Sequence, residues 1–203
     1  VAFGQIPTVN TYPSKKEEFN KLLKSFFGTS KRSDINRVLL VSKLGEKVLH
    51  PSTSGKLMLK GTIEKAHPSA VFSVNIVGKY LIFKASRCRH LNCKAKVVEC
   101  TRMAANRHGS EFVLEKVEGE KKYCRLQNEF GLYLTAKSDG TIVCEALIDE
   151  TEPPSEGASS QCFYSVAYTS DGNSYNVSHD LVKPRVTGTL SFGTPKTSRN
   201  TAK

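Results

Sequence analysis

Cysteine is the residue type in this chain that is best suited to covalent or metal chemistry. An even number of cysteines in a basic chain without tryptophan fits an oxidised, secreted protein, although six cysteines allow fifteen pairings. Zinc is a second interpretation, because His90 lies among three of the cysteines. The spacing Cys-x4-Cys-x6-Cys matches no standard structural zinc site, so we expect no metal. Buried free thiols in a cytosolic protein are a third interpretation. The cysteines are Cys88, Cys93, Cys100, Cys124, Cys144 and Cys162.

Histidine is the side chain most often used as a general acid or base in catalysis, and the chain has five. None stands in a recognisable nucleophile–base motif. The sequence also has no nucleophile elbow, phosphate-binding loop or helix with paired histidines. We therefore expect a binding protein rather than an enzyme, with no cofactor. The histidines are His50, His67, His90, His108 and His179.

The chain is basic, with a formal charge of +11 at pH 7. Such a balance attracts polyanions such as nucleic acid, an acidic membrane or a sulfated glycan. The alternative is a basic surface that only keeps the protein soluble. No run of about 18 apolar residues is present, so we expect no membrane insertion. Asn176 begins an Asn-x-Ser sequon in a polar segment, which predicts glycosylation.

The amino-terminal residues 1–36 are predicted to form an arm with one short amphipathic helix. The chain begins at Val1 without a leader, which fits a cleaved signal peptide or a trimmed sequence. Ser14 and Glu17 form a capping box at the start of the helix, and Gly28 can end it. We expect the apolar face to pack on the body of the protein. Its residues are Phe19, Leu22, Leu23, Phe26 and Phe27.

A nearly repeated apolar phrase occurs three times, at 72–77, 112–117 and 163–168, roughly 40 and then 50 residues apart. Self-similarity at such a period indicates a repeat architecture. Each phrase closes a group of short strand-like runs that turn residues separate, which predicts four strands in each of three units. We therefore predict an all-β protein, a β-trefoil of three four-stranded repeats over residues 37–168. A basic flexible tail is predicted over residues 169–203.

Short motifs follow one another in a set order through the predicted trefoil. They are His50-Pro51, Gly55-Lys56, Gly61-Thr62, Glu64-Lys65 and Pro68 in the first unit, Gly78–Leu81 and Glu99–Thr101 in the second, and Glu111–Glu115, Tyr123, Leu126–Asn128 and Gly131–Leu134 in the third. In this order they resemble the fibroblast growth factors, which are secreted β-trefoil ligands of receptor tyrosine kinases. The resemblance implies a secreted, extracellular growth factor that brings receptor kinases together.

The resemblance also implies a receptor-binding face. Glu111 matches an acidic residue, and Tyr123 an aromatic residue, that the family uses against its receptor. Val166 and Tyr168 lie where the last strand offers apolar contacts, and aromatic anchors suit binding hot spots. The alternative is that Val166 belongs to the core and Tyr123 to the barrel structure. The implied partners are a receptor tyrosine kinase ectodomain and heparan sulfate or a membrane co-receptor, and we expect no nucleic acid.

The glycan-binding loop of the family is altered in this chain. Lys137 matches one of its lysines, but four acids lie in the loop at 149–157 that follows. Their charges repel sulfate groups over roughly 8–10 Å. We therefore expect heparan binding to be weakened at the usual site and partly moved to the tail. The tail cations are Lys183, Arg185, Lys196, Arg199 and Lys203.

Other β-trefoil interpretations stay open at this point. Segments 131–136, 138–140 and 143–145 also resemble a repeat of the fascins, which are intracellular actin bundlers. A lectin-like binding module is a further alternative, although repeated sugar pockets are not visible in all three units. The segment 187–197 looks like the glycan-binding turn of growth factors and would shift the trefoil to residues 79–203. We prefer the secreted growth factor in the earlier register.

Overall fold

The structure is a computed structural model, and it describes residues 15–85, 89–94, 96–102, 109–148 and 157–168. Among these residues, no helix is both long enough and apolar enough to cross a membrane. The core and the candidate site below are built from this part of the chain.

Some sequence predictions concern residues that lie outside the described ranges. They are the capping residue Ser14, the glycosylation site Asn176, the acids of the loop at 149–156 and all five cations of the predicted tail. These predictions stay predictions. The five tail cations are Lys183, Arg185, Lys196, Arg199 and Lys203.

Helix α1, Lys15–Phe27, is amphipathic, as the sequence predicts. Its acids lie in the first turn and Lys24 in the last, which is the arrangement that the helix dipole favours. Gly28 ends the helix with a φ of 74°, and its N–H donates to the Lys24 carbonyl at 2.9 Å. Leu23 and Phe26 are buried in the core that the strands share. The prediction that this helix packs on the body is therefore confirmed.

Twelve strands and the short helix α2, Gly157–Ser160, complete the described chain. Each of the three repeated phrases lies largely in a strand, namely β4, β8 and β12, as the sequence predicts. The strands are β1 Arg37–Ser42, β2 Leu49–Pro51, β3 Leu57–Leu59, β4 Phe72–Val77, β5 Tyr80–Ala85, β6 Arg89–Lys94, β7 Val97–Arg102, β8 Phe112–Lys116, β9 Cys124–Asn128, β10 Tyr133–Ala136, β11 Ile142–Glu145 and β12 Phe163–Ala167.

The strands pair antiparallel into a closed ring rather than into three equal units. Nine strands follow the order β10-β11-β7-β6-β5-β4-β1-β12-β9, and the pairing of β9 with β10 closes the ring. Strand β8 bridges β9 and β5, while β2 and β3 form a separate two-stranded sheet. The predicted β-trefoil of three four-stranded repeats is therefore wrong. The fold is an all-β barrel closed by nine strands, with the helix α1 packed on it.

The three hairpins β2–β3, β6–β7 and β10–β11 differ in their hydrogen bonding. Hairpins β6–β7 and β10–β11 join in one sheet where Val143 pairs with Val97. Hairpin β2–β3 is joined to the other two hairpins by isolated bridges, from Lys56 to Glu99 and from Met58 to Thr141. A repeated pattern shows which segments form strands. It does not show which strands pair, because the register depends on contacts distant in sequence.

Aromatic side chains from the repeated phrases meet in the main core. Phe72, Phe112 and Phe163 begin β4, β8 and β12, and all three are fully buried. Phe83 lies between two of them, with its ring centroid 6.4 Å from that of Phe72 and 6.1 Å from that of Phe112. The three apolar segments are thus similar because the phenylalanine that begins each of them packs in the same core, where it buries a large apolar surface.

Candidate ligand-binding cleft

Two His-Pro dipeptides form one side of a cleft beside the β2–β3 hairpin. His50 lies on β2 opposite Met58 of β3. His67 lies just before a short 3-10 turn, Pro68–Ala70, and its side chain accepts the backbone N–H of Ser69. Pro68 suits the first position of this turn because its φ is already restricted to helical values. Each histidine is therefore placed by a locally determined element.

A serine hydroxyl connects the two histidines. Ser69 Oγ lies 2.7 Å from Nδ1 of His67 and 2.9 Å from Nε2 of His50. Because His67 Nδ1 accepts the backbone N–H of Ser69, this nitrogen carries no proton and also accepts the hydroxyl proton. The hydroxyl oxygen then accepts from His50, which assigns the proton of neutral His50 to Nε2. The three side chains form a directed chain of hydrogen bonds.

His50 is held in its neutral form. Burial, and then the charges of His67 and Lys60, lower the pKa of His50 below its ordinary value of 6.5. Its Nδ1 is buried and has no hydrogen-bond partner among the described residues, so a second proton on the ring would have no acceptor. Near neutral pH, His50 therefore adds no positive charge to the cleft.

The wall opposite the histidines is fixed by long-range hydrogen bonds. Arg89 Nη1 donates to the Thr53 carbonyl at 2.7 Å, which fixes the guanidinium of β6 against the turn of the β2–β3 hairpin. The N–H of Cys100 donates to the Gly55 carbonyl at 2.7 Å, so the same turn is also bonded to β7. Gly55 has a φ of +97°, and a Cβ there would lie 2.6 Å from the Cys100 carbonyl oxygen. Only glycine permits this close approach.

The cleft has a volume of about 600 Å³. Its lining combines imidazole, hydroxyl, ammonium and guanidinium groups with a small apolar surface from Pro51 and Ala85. Among the described residues that line it, there is no aspartate or glutamate. It can therefore hold a polar ligand by many hydrogen bonds and favours negative charge. The lining residues are His50, Pro51, Ser52, Thr53, Lys60, Gly61, Lys65, His67, Ser69, Ala85 and Arg89.

Three of the four residues predicted to bind a receptor lie together, but they do not line the cleft. Tyr123 and Val166 belong to a second core cluster, in which their exposed fractions are 7% and 1%, and Tyr168 packs against it. Glu111 lies apart from this cluster, in the half-buried position before β8. The second cluster also contains Ala66, which flanks the turn that bears Ser69. Its members are Leu39, Val41, Val48, Ala66, Ala70, Val71, Val117, Tyr123, Cys162, Tyr164 and Val166.

Tyr123 has a defined structural contact. Its hydroxyl donates to Glu46 Oε1 at 2.5 Å, and Tyr164 donates to the other carboxylate oxygen at 2.6 Å. The two rings meet edge to face with centroids 5.4 Å apart. Burial, and then the hydrogen bond to Glu46, raise the pKa of both phenols above the usual value. Both tyrosines therefore stay protonated donors, and the receptor-binding role of Tyr123 stays a prediction.

Lys137, the lysine predicted to bind glycan, is part of an ion pair on another hairpin. Its Nζ lies 2.7 Å from Glu145 Oε2, across the pair of strands β10 and β11. The pair is partly exposed, so its net contribution to stability is small. It does not line the cleft beside β2 and β3.

The cysteines form one disulfide among the described residues. It joins Cys93 of β6 to Cys144 of β11 across 51 residues of sequence. Cys100 and Cys124 are buried free thiols, and burial raises the pKa of each to about 12. No group of three or more metal-ligating side chains is present in the part of the chain that the structure describes.

Sequence reasoning did not single out the cleft residues as a site. His50, Lys65 and Pro68 entered the family resemblance as short matches, and His67, Ser69 and Arg89 were given no role. One signal was available, namely that the dipeptide His-Pro occurs twice within the first unit. A proline after each histidine restricts the backbone at both positions. That restriction suggests that both imidazoles have defined positions. It does not show that the two histidines lie close together.

Neither a protein-family model nor a curated protein sequence matches the chain. Solved structures with a similar fold include the following three. A GlcNAcα1-4Gal releasing endo-β-galactosidase from Clostridium perfringens has a TM-score of 0.52 and 14% identity, over 64% of this chain and 32% of its own. The chain therefore spans about a third of that enzyme's length.

The other two structures are matched over nearly their whole length. SeviL bound to the asialo-GM1 saccharide has a TM-score of 0.52 and 15% identity, over 64% of this chain and 96% of its own. A salivary protein from Culex quiquefasciatus, of the Cysteine and Tryptophan-Rich family, has a TM-score of 0.51 and 12% identity, over 65% of this chain and 93% of its own. At such low identity the likeness concerns the fold alone.

Proposed function

We propose that this protein is a carbohydrate-binding protein without catalytic activity, and that the cleft beside the β2–β3 hairpin holds the saccharide. The observation that carries the proposal is that the hydrogen-bonded chain His50–Ser69–His67 and the oriented guanidinium of Arg89 line the same cleft. Sugar hydroxyls need closely spaced donors and acceptors. A site whose polar groups are already oriented loses less entropy when it binds them.

The fold comparison supports the same class of ligand. SeviL, which is similar in fold over 96% of its own length, was solved with a saccharide bound. The matched part of the endo-β-galactosidase is a minor portion of that enzyme. A similar fold alone does not establish a similar function. The cleft therefore carries the proposal, and the fold comparison only favours saccharides among the polar ligands that the cleft could hold.

The Ser69 network fits a role in binding better than a catalytic role in acyl transfer. A serine nucleophile needs a base whose second nitrogen is oriented by another group, commonly a carboxylate. His50 Nδ1 has no such partner among the described residues. The Ser69 hydroxyl also donates to His67, so His50 does not act as an acceptor for its proton.

The growth-factor hypothesis stays a prediction that rests on the resemblance of short motifs. Tyr123 and Val166 are buried in the second cluster, which gives both of them a packing role in the isolated protein. Secretion is part of our proposal, since disulfides such as Cys93–Cys144 persist in oxidising compartments. An extracellular protein would also have access to cell-surface and secreted glycans.

A glycan array followed by calorimetry tests the proposed function. We expect saturable binding of a defined set of saccharides by the wild type and at least about fivefold weaker binding by Ser69→Ala, because one lost hydrogen bond is worth about 1 kcal/mol. Ser33→Ala is the matched control, since that exposed hydroxyl donates only to the neighbouring Asp34. Absence of binding to every printed saccharide would overturn the proposal. Equal saccharide affinity of Ser69→Ala and Ser33→Ala would show that the binding site lies outside this cleft.

A further inference from the structure

We propose that the cleft selects saccharides that carry an anionic substituent, namely a sulfate, a phosphate or a carboxylate, through Lys60, Lys65 and Arg89. This inference rests on the proposed carbohydrate-binding function and specifies the class of sugar. The shared chemistry is an oxyanion on one or two sugar units. The three sources of that oxyanion are separated by the experiment below.

The three cations reach the cleft from different parts of the chain. Lys60 follows β3, Lys65 ends the short 3-10 turn before His67, and Arg89 begins β6. All three line the same cleft although they are not adjacent in sequence, so their charges act on one volume. An oxyanion placed among them can meet more than one cation at once.

The three cations form no ion pair with a described carboxylate, although Glu64 lies near enough to Lys65 for their charges to interact. Elsewhere on the surface, Lys43 pairs with Glu120 at 2.5 Å and Lys137 with Glu145 at 2.7 Å. Lys60, Lys65 and Arg89 have no such ion pair within the described ranges, and no carboxylate there lines the cleft. An anionic ligand would supply the missing partner.

Arg89 is the fixed member of the group. One of its terminal nitrogens, Nη1, is engaged by the Thr53 carbonyl, which orients the planar guanidinium. The orientation costs no further entropy when a ligand arrives. The two lysines are exposed on longer, more mobile stems and adjust to the position of the acid.

The titration of His50 gives independent support for positive potential in the cleft. The charge of Lys60 lowers the pKa of His50, after burial and His67. A positive charge that is close enough to disfavour protonation of His50 also favours an anion bound beside His50.

The size of the cleft limits the ligand. A volume of about 600 Å³ suits a small molecule of one or two sugar rings. A long polysulfated chain would lie mostly outside it. The inference therefore concerns an acidic sugar held inside the cleft, and it differs from the heparan binding that was predicted for Lys137 and the tail.

Matched glycan pairs that differ only by one acidic group provide the test. The probes are a neutral disaccharide, its sulfated form, its phosphorylated form and its form extended by one carboxylate-bearing sugar. Each is titrated into the full chain by calorimetry. The proteins are the wild type, the double variant Lys60→Gln/Lys65→Gln, and the control Lys79→Gln, whose lysine lies at the β4–β5 turn outside the cleft.

We expect at least one acidic form to bind the wild type about tenfold or more tightly than the neutral form, since each charge-assisted contact contributes more than a neutral one. The double variant should lose most of that preference, and Lys79→Gln should keep it. The acidic group that binds best identifies the source of the oxyanion. Equal affinity for the neutral and acidic forms would overturn the inference and leave the carbohydrate-binding function intact.

A titration with inorganic sulfate distinguishes failure of the anion site from failure of the carbohydrate-binding function. Sulfate is titrated while the ring proton signals of His50 and His67 are followed by nuclear magnetic resonance. If sulfate shifts these signals in the wild type and not in the double variant, while no sugar binds, the anion site stands and the carbohydrate function falls. If neither sulfate nor any sugar has an effect, both proposals are wrong.

Discussion

The imidazole rings of His50 and His67 lie edge to face, with centroids 5.9 Å apart, and both bond to the hydroxyl of Ser69. The contact joins strand β2 to a turn that lies 19 residues further along the chain. One hydroxyl thereby sets the relative position of the two histidines that line the cleft.

Replacement of Ser69 by alanine should destabilise the protein by about 1–2 kcal/mol. The variant removes the two hydrogen bonds of the Ser69 hydroxyl and leaves Nε2 of His50 without its partner, while Nδ1 of His67 keeps the backbone N–H of residue 69. Urea unfolding of the wild type and the variant measures the change. Ser33→Ala should cost less than about 0.5 kcal/mol, because it removes one exposed local bond. Similar costs for the two variants would mean that the network contributes no stability.

Acidification should destabilise the protein through His50. Its pKa is lower in the folded state than the ordinary value of 6.5, so between these two values the unfolded chain binds more protons. The free energy of unfolding therefore rises with pH through this window. The contribution is complete above about pH 6.5 and is lost as the pH falls through the folded value.

The matching measurement is urea unfolding at pH 7.5 and at pH 5.0 for the wild type and His50→Gln. The wild type should lose more stability between the two pH values than the variant does. His90, whose pKa is also lowered by burial and by Lys84, is present in both proteins and serves as an internal reference. An identical loss in the two proteins would show that His50 titrates normally.

Gly55→Ala should be far more damaging than Gly78→Ala, although both glycines have positive φ. A Cβ on Gly55 would meet the Cys100 carbonyl oxygen at 2.6 Å, whereas one on Gly78 has nothing within 4 Å. We expect a loss of roughly 1–2 kcal/mol for Gly78→Ala from the backbone conformation alone. Gly55→Ala should cost roughly 3 kcal/mol or more.

Thermal and urea unfolding distinguish the two glycine variants. Glycan binding should also weaken in Gly55→Ala, because the displaced turn carries the Thr53 carbonyl that orients Arg89. Binding should be unchanged in Gly78→Ala. If both variants lost equal stability, the close approach of the turn to β7 would not exist in solution.

Reduction of the Cys93–Cys144 disulfide should lower the free energy of unfolding by about 4 kcal/mol, on the chain-entropy estimate for its 51-residue separation. Guanidinium unfolding with and without a reductant measures the loss. The double variant Cys93→Ala/Cys144→Ala is the control, and the reductant should not change its midpoint. A midpoint in the wild type that ignores the reductant would argue that the bond does not form.

The local sequence was sufficient to predict helix α1 and the strands of the described chain. The apolar residues of α1 recur at helical spacing, and Gly28 permits the positive φ that ends the helix. The three apolar phrases predict β4, β8 and β12 because alternate or continuous apolar residues of strand length need a buried sheet. Neighbours along the chain determine these features, so they can be read from the chain alone.

Strand partners and the site depended on residues far apart in sequence, and only the tertiary structure decided them. The hairpin β2–β3 belongs to the first of three four-stranded units that were predicted to be equal, yet it lies in a sheet of its own. Arg89 meets Thr53 across 36 residues, and Ser69 meets His50 across 19. No spacing rule specifies such contacts, because they follow from how the closed barrel packs. The sequence by itself determined the helix, the strands and the basic charge, and the packing of the barrel brought the histidines and cations into one cleft.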